Sequence, residues 1–254
     1  MQLVDIGANL THASFHDDLD AVLARAHEHG VDTIIVTGTS PAETRKALAL
    51  GFWTTAGVHP HNAKDCGAST LEELRELARD PKVLAIGECG LDYNRNYSPH
   101  PDQEKWFVAQ LELAAELGKP LFLHSRDAHP RFAEILRNLR VGKAVAHCFT
   151  GEADELRAYL DLDLYIGITG WICDERRGRH LVALVKEIPQ DRLLLETDAP
   201  YLTPRDLHPQ PRARRNEPAF LPHILRAVAR ARGEAPEALA DATTRNAKAF
   251  FGIA

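Results

Sequence analysis

The chain has 254 residues, with 44% hydrophobic and 26% charged residues, which is the profile of a globular protein and excludes an intrinsically disordered one. A formal net charge of -6 argues against a protein that coats nucleic acid through a broad basic face, but leaves open an enzyme that binds it in one local groove. The apolar runs are much shorter than the roughly 20 residues of a membrane span, so we expect no membrane association.

Short apolar or β-branched runs alternate with longer stretches of helical periodicity along the whole sequence. The strand-like runs begin near Leu3, Asp32, Thr54, Val83, Leu121, Ala144, Tyr165 and Leu193. The helical stretches begin near Asp17, Pro41, Leu71, Asp102, Pro130, Glu152, Glu175 and Pro218, and a last helix covers residues 236–250. Eight such alternations predict an α/β protein, a (β/α)8 TIM barrel, with residues 1–254 as one domain. A doubly wound open sheet is the alternative, because periodicity alone does not prove closure.

Four cysteines are present, namely Cys66, Cys89, Cys148 and Cys173, and their spacing fits neither a disulfide framework nor a C-x-x-C motif. This pattern favours a reducing, cytoplasmic location. We expect a monomer or a weak oligomer.

Polar residues that can bind metal follow five of the predicted strands, at His59, Glu88, His124, His147 and Asp198. One strand-end histidine alone is more often structural, but five strands with such a residue at the same end predict a site, because barrel enzymes keep their active sites at the carboxyl ends of the strands. The sequence predicts a ligand set of Glu88, His124, His147 and Asp198, with His59 nearby. Two imidazoles and two carboxylates suit Zn²⁺, Mn²⁺ or Mg²⁺, and such ions can activate water for hydrolysis.

Three further residues are candidates for direct or indirect support of this metal site. Asp5 and Asn9 lie at the end of the first strand. Glu196 shares a strand face with Asp198 and either supports the site from behind or is a buried ion-pair partner, with no preference between the two. Asp198 and Glu88 are the candidate catalytic residues, and Asp198 could accept the proton of the attacking water.

The candidate substrate contacts surround the same end of the predicted barrel. Arg126 lies two residues after His124 and therefore shares its face, where it could hold a phosphate. Arg205 belongs to a proline- and arginine-rich loop over residues 203–218, which could either bind nucleic acid or be stabilised by local ion pairs. The aromatic residues Tyr93, Trp171 and Tyr201 could stack on unpaired bases or form a hydrophobic cover under the loops.

Several motifs resemble those of the TatD family of nucleases, in the family's order along the chain. They are DIGANLT from Asp5, GVHPH from Gly57, AIGECGLDYNR from Ala85, LHSRDA from Leu123, HCFTG from His147, YIGITGW from Tyr165, CDERRG from Cys173, ETDAPYLTPRDL from Glu196 and RRNEPAFLPHI from Arg214. The resemblance implies a metal-dependent hydrolase of the amidohydrolase-like barrel type. It implies a Mg²⁺-dependent 3′ to 5′ exodeoxyribonuclease that prefers single-stranded DNA, with RNA as a second substrate and a role in DNA repair. The family's metal ligands match Glu88, His124, His147 and Asp198, and His59 matches a histidine at the edge of the site.

The end of the first strand departs from the wider family. Many relatives carry His-x-His where this sequence has Gly7 and Asn9. A second metal ion would therefore be held weakly, through oxygen atoms of Asn9 and Asp5, which suits a hard and labile ion better than zinc. A metal-dependent amide or ester hydrolase of the same barrel class remains the alternative function.

Overall fold

Eight strands alternate with helices in the computed structural model, which describes residues 2–211 and 213–253. The strands are β1 (Leu3–Ala8), β2 (Val31–Val36), β3 (Trp53–Ala56), β4 (Val83–Asp92), β5 (Leu121–Arg126), β6 (Ala144–Ala146), β7 (Tyr165–Ile168) and β8 (Leu193–Leu195). They form one sheet whose strand order follows the chain. The α-helices are α1 (Leu19–Glu28), α2 (Pro41–Ala49), α3 (Thr70–Leu77), α4 (His100–Leu117), α5 (His129–Leu139), α6 (Ala153–Asp161), α7 (Arg179–Leu184), α8 (Leu221–Arg232) and α9 (Pro236–Phe251). No helix in this described part of the chain is both long and apolar enough to span a membrane.

The start of α7 is the clearest difference from the predicted elements, since the helix begins at Arg179 and not near Glu175. The carboxylate of Asp174 accepts hydrogen bonds from the backbone N–H groups of Arg176 and Arg177, and its carbonyl accepts one from Gly178. An aspartate that binds the next backbone amides offers the chain a turn in place of a helix. Helix α7 therefore begins about one turn later than the sequence pattern predicts.

The described residues divide into two compact units. The first unit comprises residues 2–36, 148–153 and 166–253 and contains β1, β2 and β8 with α1 and α7 to α9. The second unit comprises Thr37–His147 and Asp154–Tyr165 and contains β3 to β6 with α2 to α5. The assignment of residues 1–254 to a single domain stays a prediction.

The core of the second unit lies between its parallel strands and the helices that cover them. Ile86 of β4 and Phe122 of β5 are fully buried, and Phe107 of α4 stacks on Phe132 of α5 with ring centroids 5.2 Å apart. Burial of side chains of this size contributes on the order of 2 kcal/mol each. This packing fixes the strands whose carboxyl ends carry the polar residues described next.

Strand β4 is irregular where it carries its buried glutamate. Its register against β5 shifts between Gly87 and Cys89, so that Glu88 lies at a bulge. Gly87 has φ of 135°, and a Cβ atom there would overlap the backbone carbonyl of Phe122. Only glycine tolerates this close approach of two backbones, and the bulge directs the side chain that follows it.

Candidate metal centre

Four of the predicted metal-site residues lie in the second unit, at the carboxyl ends of neighbouring strands. His59 follows β3, Glu88 lies within β4, His124 lies within β5, and His147 directly follows β6. Glu88 and His147 are each 5% exposed and His59 is 9% exposed, so water has little access to this group. The alternation of strands and helices thus brings together residues that are far apart in sequence.

One carboxylate oxygen is the centre of this cluster. The Oε1 atom of Glu88 lies 2.8 Å from Nδ1 of His124, 2.8 Å from Nε2 of His147 and 3.2 Å from Nε2 of His59. One donor atom each from His59, Glu88 and His124 lies within 4.8 Å of the others, which is the spacing of a candidate metal site. Three imidazoles and a carboxylate form a donor set that fits a divalent cation.

A second carboxylate and a fourth histidine, which the sequence patterns did not single out, lie beside this cluster. Asp92, the last residue of β4, is 1% exposed, and its Oδ2 atom lies 2.7 Å from Nε2 of His61 and 3.5 Å from Nε2 of His124. Within the described residues, the buried Nε2 atom of His124 has no hydrogen-bond partner. The position of Asp92 four residues after Glu88 on one strand was the available signal, but the bulge makes simple alternation an unreliable guide to its direction.

The protonation states of Glu88 and His59 suit metal binding. Burial alone would raise the pKa of Glu88, but the neighbouring imidazoles of His59 and His147 hold that pKa well below its usual range. Burial lowers the pKa of His59 to about 4. An ionised carboxylate beside an imidazole that is neutral at physiological pH is the form in which both residues bind metals.

Asp198 lies in the first unit, in the segment Glu196–Thr197–Asp198 that follows β8. It has φ of 54°, its backbone N–H donates to the carbonyl of Gly7 at 2.8 Å, and its Oδ1 atom accepts a hydrogen bond from Nδ2 of Asn9 at 2.9 Å. The residues that replace His-x-His in this sequence therefore hold Asp198 in place. The assignment of Asp198 as a metal ligand stays a prediction.

Asp5 and Glu196 are fully buried in the first unit and bind backbone groups. The carboxylate of Asp5 accepts from Oγ1 of Thr197 at 2.5 Å and from its backbone N–H at 2.9 Å, and burial raises the pKa of Asp5 to about 7. The Oε1 atom of Glu196 accepts from the backbone N–H of Cys148 at 2.5 Å. Glu196 thus fixes the backbone just after His147, as a supporting residue would, and the choice between its two predicted roles stays open.

Two of the three aromatic candidates make intramolecular contacts that occupy their polar atoms. The hydroxyl of Tyr93 donates to Glu104 at 2.9 Å, and its ring stacks on His100 at 3.7 Å. The indole of Trp171 lies under the guanidinium of Arg177 at 4.3 Å and donates to the carbonyl of Arg177. Tyr201 is 51% exposed. Their roles as base-stacking residues stay predictions.

The candidate arginines differ in how far their charges are already compensated. Arg205 lies 3.3 Å from Glu175 and 3.7 Å from Asp174, so its charge is compensated by local ion pairs. Arg126 ends β5 and is half-buried, and no carboxylate among the described residues pairs with its guanidinium. Arg212, in the same loop as Arg205, lies outside the described residues. Arg126 is therefore the better-placed residue to hold a phosphate.

Comparison with known proteins places the chain in a family. The model of the family described as TatD related DNase matches residues 4–252. The chain is 53% identical over 258 residues to a 3′-5′ ssDNA/RNA exonuclease TatD from Klebsiella pneumoniae, with 99% of this chain and 98% of the relative covered. It is 54% identical over 260 residues to the protein of the same name from a Pantoea species, with 99% and 100% covered.

Solved structures agree with the predicted fold class. A TatD homologue from Escherichia coli K12 superposes with a TM-score of 0.91 at 28% identity, covering 99% of this chain and 98% of that one. A hydrolase TatD family protein from Entamoeba histolytica gives a TM-score of 0.89 at 27% identity, with 99% and 98% covered. These matches confirm the (β/α)8 TIM-barrel fold predicted from the sequence. The chain belongs to the TatD related DNase family.

Proposed function

We propose that this protein is a metal-dependent nuclease that removes nucleotides from the 3′ end of single-stranded DNA, and also of RNA. The observation that carries the proposal is the convergence of His59, His124 and His147 on one oxygen of Glu88, in a chain about half identical to proteins named as such exonucleases. A buried donor set of this kind serves metal-assisted hydrolysis, and the family membership makes a phosphodiester the bond to be cleaved.

The proposed ligands are Glu88, His124 and His147, with His59 beside them and Asp198 as a further carboxylate. The orphaned Nε2 atom of His124 supports the fit, because a buried imidazole nitrogen without a hydrogen-bond partner calls for another ligand. We propose Mg²⁺ as the ion used in turnover, with Mn²⁺ bound more tightly because imidazole nitrogens favour the softer ion, and Zn²⁺ as a third ion that the same donors accept. When bound, such an ion supplies Lewis-acid polarisation of the phosphodiester and lowers the pKa of water.

The residues of the chain would then act on water and substrate. Asp198 accepts the proton of the attacking water, while Asn9 fixes the direction of the Asp198 carboxylate through its hydrogen bond to Oδ1. Arg126 holds a phosphate oxygen through its guanidinium. Glu196 keeps His147 in position through the next backbone N–H.

Two end-labelled substrates test both the bond type and the polarity. A single-stranded DNA labelled at its 5′ end should give a ladder that shortens one nucleotide at a time from the 3′ end, and blocking that end with phosphorothioate linkages should stop it. The matching RNA should be degraded in the same way. Degradation from the 5′ end, or internal cleavage, would overturn the exonuclease proposal. Turnover of neutral esters or amides without any DNA cleavage would favour the alternative hydrolase.

A further inference from the structure

A second group of metal-binding side chains lies in the first unit, outside the centre around Glu88. Cys173 ends a short 3-10 helix (Gly170–Cys173) that follows β7, Asp206 lies in the loop after β8, and His223 lies in the first turn of α8. One donor atom of each residue lies within 4.8 Å of the other two. Three segments that are separate in sequence therefore present a thiol, a carboxylate and an imidazole at one point.

Asp206 is the hydrogen-bonding partner of this group. The Nε2 atom of His223 lies 2.7 Å from Oδ1 of Asp206, and the other carboxylate oxygen of Asp206 lies 3.9 Å from the guanidinium of Arg230. Cys173 is 6% exposed, and burial raises the pKa of its thiol, with the charge of Asp206 acting in the same direction. A buried thiol, a carboxylate and an imidazole form the mixed sulfur, oxygen and nitrogen donor set that zinc takes in proteins.

A cavity adjoins two of the three donors, Cys173 and Asp206. This cavity of about 410 Å³ is lined by Cys173, Asp206 and Arg230, together with Asp174 and Arg179. Three protein donors leave one position of a tetrahedral ion open to such a cavity. A divalent ion would balance the two negative charges of a thiolate and a carboxylate, while the guanidinium of Arg230 stays 3.9 Å from Asp206.

We propose that Cys173, Asp206 and His223 form a second metal site that binds Zn²⁺. On binding, the thiol proton of Cys173 passes to water, and the imidazole proton of His223 moves from Nε2 to Nδ1, so that a thiolate, a carboxylate and a neutral imidazole each form one coordinate bond to the ion. No electron transfer is involved. The donor atoms of His223 and Asp206 must separate slightly, from 2.7 Å to roughly 3.3 Å, which small side-chain rotations allow.

The site would join three segments that are separate in sequence. Asp206 belongs to the loop over residues 203–218, whose arginine Arg205 is also paired with Asp174 beside Cys173. An ion bound to Cys173, Asp206 and His223 would fasten that loop to the start of α8. The proposed role is therefore structural: the ion orders the loop that leaves the carboxyl end of β8.

Cobalt provides a readout specific to this site. The centre around Glu88 contains no thiol, whereas Co²⁺ bound to Cys173 has a thiolate charge-transfer band in the ultraviolet. Metal-free full-length protein is titrated with Co²⁺ and then with Zn²⁺ while absorbance is recorded. We expect the absorbance of the band to increase until one Co²⁺ ion is bound at this site in each protein molecule. Zn²⁺ should remove the band, and excess Mg²⁺ should leave it in place.

Three variants locate the band. Cys173→Ser should abolish it, and His223→Gln, a change on a partly exposed helix position, should weaken Co²⁺ binding by about 10- to 100-fold. Cys66→Ser removes a thiol outside the group and should leave the band unchanged, with circular dichroism confirming that each variant is folded. A wild-type protein without the band, or a band that survives in Cys173→Ser, would overturn the proposal.

Discussion

The Oε1 atom of Glu88 lies 2.8 Å from Nδ1 of His124, and the opposite nitrogen of the same ring faces Asp92 at 3.5 Å. The imidazole therefore lies between two buried carboxylates, paired with Glu88 and next to Asp92. Burial alone would lower the pKa of His124, but the carboxylates of Asp92 and Glu88 on its two sides raise that pKa above its usual value. The carboxylates of Glu88 and Asp92 on its two sides restrict the orientation of the ring, and the imidazole must lose a proton before it can bind a metal ion.

Removal of the central carboxylate should stop catalysis. Glu88→Gln keeps the volume of the side chain but removes the charge that three imidazoles approach, so we expect the rate of DNA hydrolysis to fall on the order of 10³-fold or more. The exposed Glu237→Gln on α9 is the matched control and should keep wild-type activity. Initial rates on a labelled single strand measure the effect. Near-normal activity in folded Glu88→Gln would refute the role of this residue.

Asp198 should matter for turnover more than for binding. In Asp198→Asn the side chain can still pair with Asn9, but it can no longer accept a proton from water, so kcat should fall on the order of 10³-fold with little change in KM. Asp241→Asn, an exposed change on α9, serves as the control. If Asp198→Asn raised KM and left kcat unchanged, Asp198 would be a binding residue and not a base.

Metal binding at the nuclease centre should be readily reversible. Gly7 and Asn9 stand where many relatives have His-x-His, and Asn9 already donates to Asp198, so fewer imidazoles can hold a second ion. Activity should require Mg²⁺ on the order of millimolar, or less Mn²⁺, should stop in EDTA and should return when Mg²⁺ is added. Rates measured across a titration of each ion test this. Full activity after prolonged dialysis against EDTA would point instead to a tightly enclosed ion.

Arg126 should contribute an electrostatic contact to nucleic acid. Its guanidinium has no carboxylate partner in the described part of the chain, so Arg126→Ala should raise KM for a single-stranded oligonucleotide and reduce the slope of log affinity against log salt by roughly 0.7. Arg245→Ala, exposed on α9, is the control. The test is to measure KM for wild type and both variants at several salt concentrations. Equal slopes of log affinity against log salt for Arg126→Ala and wild type would show that Arg126 holds no phosphate.

Acid should weaken a contact between α4 and α5. Glu104 accepts hydrogen bonds from Arg131 at 2.6 Å and from Tyr93 at 2.9 Å, and the pairing with Arg131 lowers the pKa of Glu104 below its ordinary value of 4.5. The contribution of this ion pair to the free energy of unfolding is therefore complete above the pKa that Glu104 has in the unfolded chain. It is lost as the pH falls through the lower pKa that Glu104 has in the folded protein.

Urea unfolding at a series of pH values measures this loss. Wild type should exceed Glu104→Gln in free energy of unfolding by about 1 kcal/mol at pH 7, and the difference should shrink below about pH 4.5. Glu112→Gln, an exposed change on the same helix, should show no such dependence. A difference between wild type and Glu104→Gln that stayed constant down to pH 3 would contradict the assignment.

The sequence by itself determined the order and type of the elements, because strands and helices bury their apolar residues with different periods. The strand starts near Leu3, Val83 and Leu193 follow directly from such runs. The candidate site could also be located, since parallel strands in this fold present their carboxyl ends on one side, and this alone selected Glu88 and His124.

Only the tertiary structure decided which atoms meet. Periodicity gives the face of a side chain, but it is lost at a bulge such as Gly87–Glu88, so the approach of three imidazoles to one oxygen and the place of Asp92 beside them could not be derived from spacing. The pairing of Arg205 with Glu175, and the meeting of Cys173 with Asp206, depend on how loops pack over long sequence separations. The conformation of a loop depends on contacts with segments that are distant in sequence, and a local sequence pattern does not predict such contacts.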